Sequence, residues 1–507
     1  MTNLDPNSII KGFSFWPKIG LRCLCLGVLT LAVQACVLYP KYERPAVEIP
    51  ETWRITTDES STYANIRWWE QFKDPVLDSL IEEALVYNND LKVAIIRVQE
   101  FVGQLMIARS PFYPQISGNF IALREETSID VNPLPAGFPR TTDMFTSLVS
   151  ASYDLDLWGE IRSASDAAFA QLLGSVQARR TIVLDLVTAV ATAYVQLRQY
   201  DSQLDIAQKT LKSRVESYNL AHLRYLGGLT SELPDKQAEA EMDNAEVQVL
   251  ELEISVAQQE NLLSVLIGRP PETIPRGLLL DKLVLPPDVP AGLPSELLDQ
   301  RPEILVAEQA LIAANAEIGV AKAQFFPNIT LTGQYGNESL QLHELFTSPA
   351  LAWQYAASLL QPFFTGGRLT GQLKVAEAQK WEAYYAYRQT VLNAFEEVDN
   401  ALIAHQKSHD LLTTQVKREA ALEVVLHLAN LEYENGQVDY LNVLDAERNL
   451  FVGQIDLATA QAFTFLSLIN LYKALGGGWV VQADSEALSV CDCDSFCGSQ
   501  CQEAAGL

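Results

Sequence analysis

A chain of 507 residues with 48% hydrophobic content has enough apolar side chain for an extensive packed core, which excludes wholesale disorder. The formal net charge is −27; residues 1–35 carry Lys11, Lys18 and Arg22 against Asp5, so the acidity lies in the body, which repels nucleic acid. All seven cysteines are terminal (Cys23, Cys25, Cys36, Cys491, Cys493, Cys497, Cys501), a pattern that fits an oxidising compartment and excludes a cysteine nucleophile or Cys-rich metal site in the body.

In chain order, scattered positive charge precedes an apolar run from Leu21 to Val33, which ends in Val33-Gln-Ala35-Cys36. Basic, apolar, small residue and then cysteine is the order of a secretory signal peptide. The junction resembles a bacterial lipoprotein processing site with Cys36 as the acylated mature N-terminus. Gln34 and the long leader depart from that pattern, and simple cleavage nearby is the alternative. No other stretch offers ~18 uncharged apolar residues, so no transmembrane helix is expected. Pro40 to Trp53 reads as extended. Trp68-Trp69-Glu-Gln-Phe72-Lys-Asp74-Pro75 caps a helix starting near Pro75, a favourable early position for proline. That helix is predicted to continue through Leu80, Leu91, Ile95, Val98 and Val102 to about Ser110, where Pro111 and Pro114 stop it.

Two amphipathic strands follow. Ile116, Gly118 and Phe120 alternate with polar residues, and Phe145, Val149, Ala151, Tyr153, Leu155 and Leu157 alternate with Thr146, Ser150, Ser152, Asp154 and Asp156. A loop containing Pro133, Pro135, Gly137 and Pro139 joins them. Such strands suit a sandwich, core against water, or an outer-membrane barrel, lipid against a wet lumen. Periodicity alone does not choose.

Gly159 to Tyr225 contains no proline, and Val183, Val187, Val190, Tyr194, Leu197, Leu204, Leu211, Val215, Tyr218 and Tyr225 trace a coiled-coil seam. At ~1.5 Å per residue this helix is about 100 Å long, far beyond what a compact domain needs. The stretch recurs as Gly367 to Tyr433, with Val391, Phe395, Val398, Leu402, His405, His409, Leu412, Val416, Leu426 and Tyr433 on the seam. Upstream, Phe112-Tyr113-Pro114 recurs as Phe325-Phe326-Pro327, and strands recur at Ile329, Leu331, Tyr335 and at Trp353, Tyr355, Ala357, Leu359. The chain is an internal duplication with a period longer than that of solenoid repeats. Both long helices end at a glycine, Gly228 and Gly436, suited to a left-handed cap. Ser231 and Asp439 follow as N-cap types for returning helices that run to about Ile267 and Leu475. Arg269 to Pro302 is a proline-rich connector. The acidic, Cys-bearing tail after Trp479 is expected to lack a packed fold.

His405 and His409, one turn apart, could share a metal. They occupy seam positions matching Leu197 and Asp201, so packing or polar seam contacts are expected and no metal is assigned. Cys491, Cys493, Cys497 and Cys501 suit disulfides first, then a functionless or interchain tail, and last a metal-gathering site. No Ser/His/Asp, paired-carboxylate or phosphate-loop pattern stands out, so neither an enzyme nor a cofactor is expected.

Tyr42-Glu-Arg44-Pro45, Trp68-Trp69 to Leu80, Asn89-Asp-Leu91, both Phe-aromatic-Pro motifs, Leu293 to Arg301-Pro302-Glu303, Gln361-Pro362-Phe-Phe-Thr-Gly366-Gly367-Arg368 and Leu444-Asp445-Ala446-Glu447-Arg448 resemble the TolC-like outer-membrane efflux protein family. The likeness covers about residues 38–480 and is to the lipoprotein drug- and metal-efflux (NodT/OprM-type) branch. It implies an α+β membrane protein: a duplicated strand-pair and long-helix-hairpin repeat, forming a trimeric 12-stranded outer-membrane β-barrel continued by an α-helical periplasmic tunnel. Four strands alone cannot close a barrel, for which ~8 is the practical minimum. The boundaries expected are a signal peptide over 1–35; a first repeat over 36–285, with strand pair 115–157 and helix hairpin 158–267; a second over 286–480, with helix 295–324, strand pair 328–361 and hairpin 366–475; and a tail over 481–507.

The resemblance further implies a homotrimer in outer-membrane lipid, passing drugs, metals or other small molecules from an RND-type inner-membrane pump and a periplasmic adaptor (membrane fusion) protein. The hairpin tips, with Gly228, Ser231, Gly436 and Asp439, would meet the adaptor. Leu441 and Asp445 would ring the closed inner end as a periplasmic gate, Tyr433 and Arg448 would hold neighbouring helices together, and Arg448 would offset Asp445. Only the second repeat supplies that charge, since the first has Leu233 and Gln237 at the paired positions. The alternatives are the duct of a type I protein secretion system, or a periplasmic coiled-coil adaptor or scaffold. The last needs one helical hairpin inside β domains, where this chain has two hairpins and two strand pairs.

Overall fold

The computed structural model describes residues 38–490, except 51, 55–66, 132, 134, 136, 138, 285–293, 296 and 477–478 and the side chains of 486–490. Cys36, the signal segment and the four cysteines of 491–501 lie outside the described residues. The elements are α1 (Pro75–Tyr87), α2 (Asn89–Arg109), β1 (Gln115–Glu126), β2 (Thr141–Asp154), α3 (Glu160–Leu226), α4 (Glu232–Leu266), α5 (Leu297–Gln300), α6 (Pro302–Ala323), β3 (Asn328–Ser339), β4 (Leu351–Leu360), α7 (Arg368–Glu434), α8 (Tyr440–Leu475) and α9 (Trp479–Val490). Their described residues fall into two compact units. One gathers those within Met1–Arg44, Glu100–Leu172 and Gln309–Tyr385; the other gathers those within Pro45–Gln99, Leu173–Glu308 and Ala386–Leu507.

The first unit is built on one antiparallel sheet in the order β1-β2-β3-β4, so β1 and β4 each have one open edge. Register places Gly118, Val149, Tyr335 and Trp353 in one cross-strand row and Ser117, Ser150, Gln334 and Gln354 in the next. Successive residues face opposite ways, so the first row belongs to an apolar face and the second to a polar one. Below β2 the chain turns into α3, where the Asp156 carboxylate accepts the backbone N–H groups of Ile161 and Arg162, both at 3.1 Å. These are amides that a helix start leaves without intrahelical partners. Trp158 donates to the Pro327 carbonyl at 2.8 Å and stacks on Phe326 at 4.7 Å, which explains the second Phe-aromatic-Pro motif.

The second unit holds the main core. Val183, Val187, Val190, Tyr194 and Leu197 of α3 are buried, as are Val391, Phe395, Val398 and Leu402 of α7. Trp68, Trp69, Phe72, Tyr472 and Trp479 pack with them, and Trp68 stacks on Tyr472 at 5.0 Å. Asp74 does two jobs. Its Oδ1 accepts from Val76 N–H (3.0 Å) as the N-cap of α1, and its Oδ2 accepts from Tyr194 Oη (2.7 Å) and Leu278 N–H (3.0 Å). Gly277 is required there, since a Cβ would collide with the Asp74 carboxylate. Arg301, the arginine of the Arg-Pro-Glu hallmark, is buried and ties the end of the connector to α7 through Glu397 at 2.5 Å. Towards the tips the seams open: Val215, Tyr225 and Val416 are exposed.

The structure corrects three expectations. The helix expected from Pro75 to about Ser110 breaks at Asn88, whose side-chain oxygen accepts from Leu91 N–H (3.0 Å) and whose amide donates to Leu266 O (2.9 Å). The helix expected over 295–324 divides at Arg301, because α6 restarts on Pro302. The described part of the segment after Trp479 is packed: it forms α9, buries Trp479, Val480 and Ala483, and pairs Asp484 with Arg179 at 2.7 Å, while the Cys-bearing remainder of the tail lies outside the described residues. By length and composition alone α3, α6 and α8 could each cross a membrane, but half or more of each apolar window is buried in the chain's own packing.

Candidate functional site

The two hairpin tips share one backbone design. At the first, Gly228 has φ +68, its N–H donates to Tyr225 O at 2.9 Å, and Leu229 N–H donates to Arg224 O at 2.9 Å. At the second, Gly436 has φ +71, its N–H donates to Tyr433 O at 3.0 Å, and Gln437 N–H donates to Glu432 O at 2.9 Å. This paired 6→1 and 5→2 pattern is a Schellman cap, which needs a left-handed residue and so favours glycine. Ser231 and Asp439 stand at the N-caps of α4 and α8 with extended backbone, yet neither side chain makes a capping hydrogen bond. Their role there is conformational.

Leu441 and Asp445 project from the first turns of α8, both exposed. The sequence reading pairs Asp445 with Arg448; the structure does not. Arg448 Nε donates to Glu241 Oε1 of α4 at 2.7 Å, and Asp445 accepts from Asn449 at 3.1 Å. Glu241 lies across a helix–helix contact and is nearly buried, so it offers the guanidinium a better-defined, less hydrated acceptor than an exposed carboxylate on its own helix. Arg214 of α3 bonds Glu447, so α8 is tied to α3 and α4 by two adjacent residues. Burial pushes the Glu447 carboxyl above its ordinary range, against the pull of Arg214. Tyr433 Oη accepts from Arg224 Nη1 at 3.0 Å, which joins the end of α7 to the end of α3. His222 Nδ1 lies 3.0 Å from Asp235 and closes the first hairpin on itself.

Sequence reasoning missed Glu241, Arg214 and Arg224, since nothing in local spacing marks which charge meets which. It also missed a leucine series at the first tip. Leu220, Leu223, Leu226, Leu229 and Leu233 are all exposed, with Leu229 80% so. Their signal was present, because the apolar residues run past the seam and through the cap. His405 is buried with Nδ1 3.4 Å from Ser467 Oγ, whereas His409 is exposed. Among the described residues no three His, Cys, Asp or Glu side chains gather to hold a metal.

On the sheet, the apolar face is uncovered: Tyr335, Trp353, Tyr355 and Leu359 are all more than 60% exposed. An apolar face this open suits a medium other than water.

A family model described as outer membrane efflux protein matches residues 80–269 and 293–477. The cation efflux system protein CusC of Escherichia coli (strain K12) is 34% identical over 454 residues, 89% of this chain and 98% of that protein. The probable outer membrane lipoprotein SilC of Salmonella typhimurium is 32% identical over 468 residues, 91% of this chain and 99% of that protein. Among solved structures, the open state of the Neisseria gonorrhoeae MtrE outer membrane channel superposes with a TM-score of 0.78 at 35% identity, covering 88% of this chain and 99% of that one.

Proposed function

Because the chain belongs to the outer membrane efflux protein family, and is an outer-membrane channel component of an efflux system rather than an enzyme, we propose that three copies assemble into a passive export duct. Their sheets close into one twelve-stranded barrel, and their hairpins bundle into a helical tunnel through the periplasm. The observation that carries this reading is the sheet itself. It has two open edges and an uncovered face carrying Tyr335, Trp353, Tyr355 and Leu359. Neighbouring copies would satisfy the edges, lipid would cover the aromatic face, and the Ser117, Ser150, Gln334 and Gln354 row would line a wet lumen. In this reading the two repeats, 36–285 and 286–480, each contribute a strand pair and a hairpin.

Gly228 and Gly436 reverse the chain at the tips, where Ser231, Asp439 and the exposed leucines offer a docking edge for a periplasmic adaptor. Leu441 and Asp445 form the constriction at the inner end, and Tyr433 and Arg448 latch it through Arg224 and Glu241. An RND-type inner-membrane pump supplies the energy. The CusC name supports metal cations within the substrate range, and SilC's description as an outer membrane lipoprotein supports acylation at Cys36. The test is to determine the mass of the purified protein in detergent and record its single-channel conductance in planar bilayers. A trimer whose conductance rises with Leu441→Ala plus Asp445→Ala is expected. A monomer, or conductance and cation preference unchanged by the double substitution, would overturn the corresponding part.

A further inference from the structure

The first described residues, 38–40, are seated rather than free. Tyr39 Oη donates to Asp166 Oδ2 of α3 at 2.7 Å, and Asn315 Nδ2 of α6 donates to the Pro40 carbonyl at 2.7 Å. Asn315 is 1% exposed, and its amide is aimed at this one extended segment. Gly319, one turn further along α6, completes the seat: a Cβ there would lie 2.7 Å from Tyr39 Cδ1 and would also collide with the buried Ser163. Burial, helped by Asp166, pushes the Tyr39 phenol up to about 12, so it stays a donor at any physiological pH. Asp166 lies in the second turn of α3, just after β2, and Asn315 and Gly319 lie on the helix that leads into β3. Cys36 precedes Tyr39 by three residues, a reach of at most ~11 Å.

We infer that Tyr39, Asp166, Asn315 and Gly319 form a clamp for the segment that follows the lipid-modified N-terminus, seating it on the strand-proximal ends of α3 and α6. The inference rests on the reading of Cys36 as the acylated residue and adds which side chains seat the chain three residues after it. Tyr39 is a positioning residue. Its ring fills the space that Gly319 leaves, and its hydroxyl fixes the height of the segment on α3.

The full-length protein in detergent should release the Cys36–Lys41 lipopeptide slowly under trypsin, because the backbone around Lys41 is held although its side chain is exposed. Tyr39→Ala should speed that release at least about tenfold. Tyr39→Phe and Asp166→Asn should each speed it by a smaller, equal factor, and the double variant by no more than either alone. Cleavage at other lysines and arginines should be unchanged, which separates a lost clamp from a lost fold. Release at the parent rate in Tyr39→Ala would overturn the clamp, as would a parallel rise in cleavage throughout the chain. Palmitate labelling reads the underlying assignment separately. Label lost in Cys36→Ala supports it, whereas label retained there overturns acylation at Cys36 and leaves the trypsin result to decide the clamp.

Discussion

Arg448 and Glu241 meet across two helices, with Arg448 Nε 2.7 Å from Glu241 Oε1, while the carboxylate of Asp445, one turn away on Arg448's own helix, goes to Asn449. The bond holds α8 against α4 near the hairpin tips. Arg448→Ala and Glu241→Gln should therefore share a phenotype. Each should raise single-channel conductance, and a double-mutant cycle on unfolding should give a coupling of about 1 kcal/mol, because Arg448 is half exposed and solvent screens the pair. Arg448→Ala behaving like Asp445→Ala, with Glu241→Gln silent, would return the pairing to Asp445.

The C-terminal helix depends on a different kind of pair. Arg179 grips Asp484 in two bonds of 2.7 and 2.8 Å, and both side chains are under 5% exposed. Removing one member strands a buried charge, at a cost of roughly 3–5 kcal/mol. Asp484→Leu should destabilise by about that amount in chemical unfolding. Arg179→Met with Asp484→Leu should recover most of it, since the guanidinium that then loses its partner is that of Arg180, 3.4 Å from Asp484 and in contact with solvent. A double variant as unstable as the single one would mean that the pair contributes beyond charge balance.

Leu359 tests the aromatic face of the sheet. It is 65% exposed on β4, in the face that contains Trp353 and Tyr355. An arginine at the bilayer midplane costs ~2–4 kcal/mol per copy, so Leu359→Arg should sharply reduce the folded fraction recovered from outer membranes. Ser358→Arg, on the polar face, should be tolerated. Equal recovery of the two variants would show that the odd-numbered face is not in lipid.

Asp78 sets a pH dependence. Burial, reinforced by Glu70, Asp74 and Glu82, pushes its carboxyl up to about 6. The ordinary value is ~3.9, so the folded chain keeps a proton that the unfolded chain gives up. The stability contributed is whole below about pH 4 and is lost as pH rises through about 6. Asp78→Asn should raise the thermal midpoint by a few degrees at pH 7.5 and leave it near the parent value at pH 4. A gain of the same size at both values would assign the effect to something other than this proton.

Much of this architecture is legible in the order of residues. The three- and four-residue spacing of Val183, Val187, Val190 and Tyr194 can only bring those side chains to one helix face, and all four are buried. Alternation in the strands is equally local, as is the glycine at each tip. What local pattern cannot carry is pairing over distance. Arg179 and Asp484 are 305 positions apart, and Asp484 sits in a segment whose acidic composition suggests solvent. Asn88 misleads in the opposite direction: apolar spacing runs straight through it, while its side chain caps α2 and binds Leu266 O on another helix. On α8, residue types alone made Asp445 the natural partner of Arg448. The outcome turned on the desolvation of Glu241, a property of the packed helices.

The seam that is dry around Val187 and Val391 and wet around Val215 and Val416 has a consequence for the order in which the molecule is made. A newly exported chain can zip its two hairpins from the aromatic core outwards, but it runs out of internal partners before it reaches the glycine caps. Amide hydrogens near Val187 should exchange only on global opening, and those near Tyr225 and Tyr433 by local fraying. Maturation then ends at the tips, and the last turns to stiffen are those that carry the Arg224–Tyr433 contact.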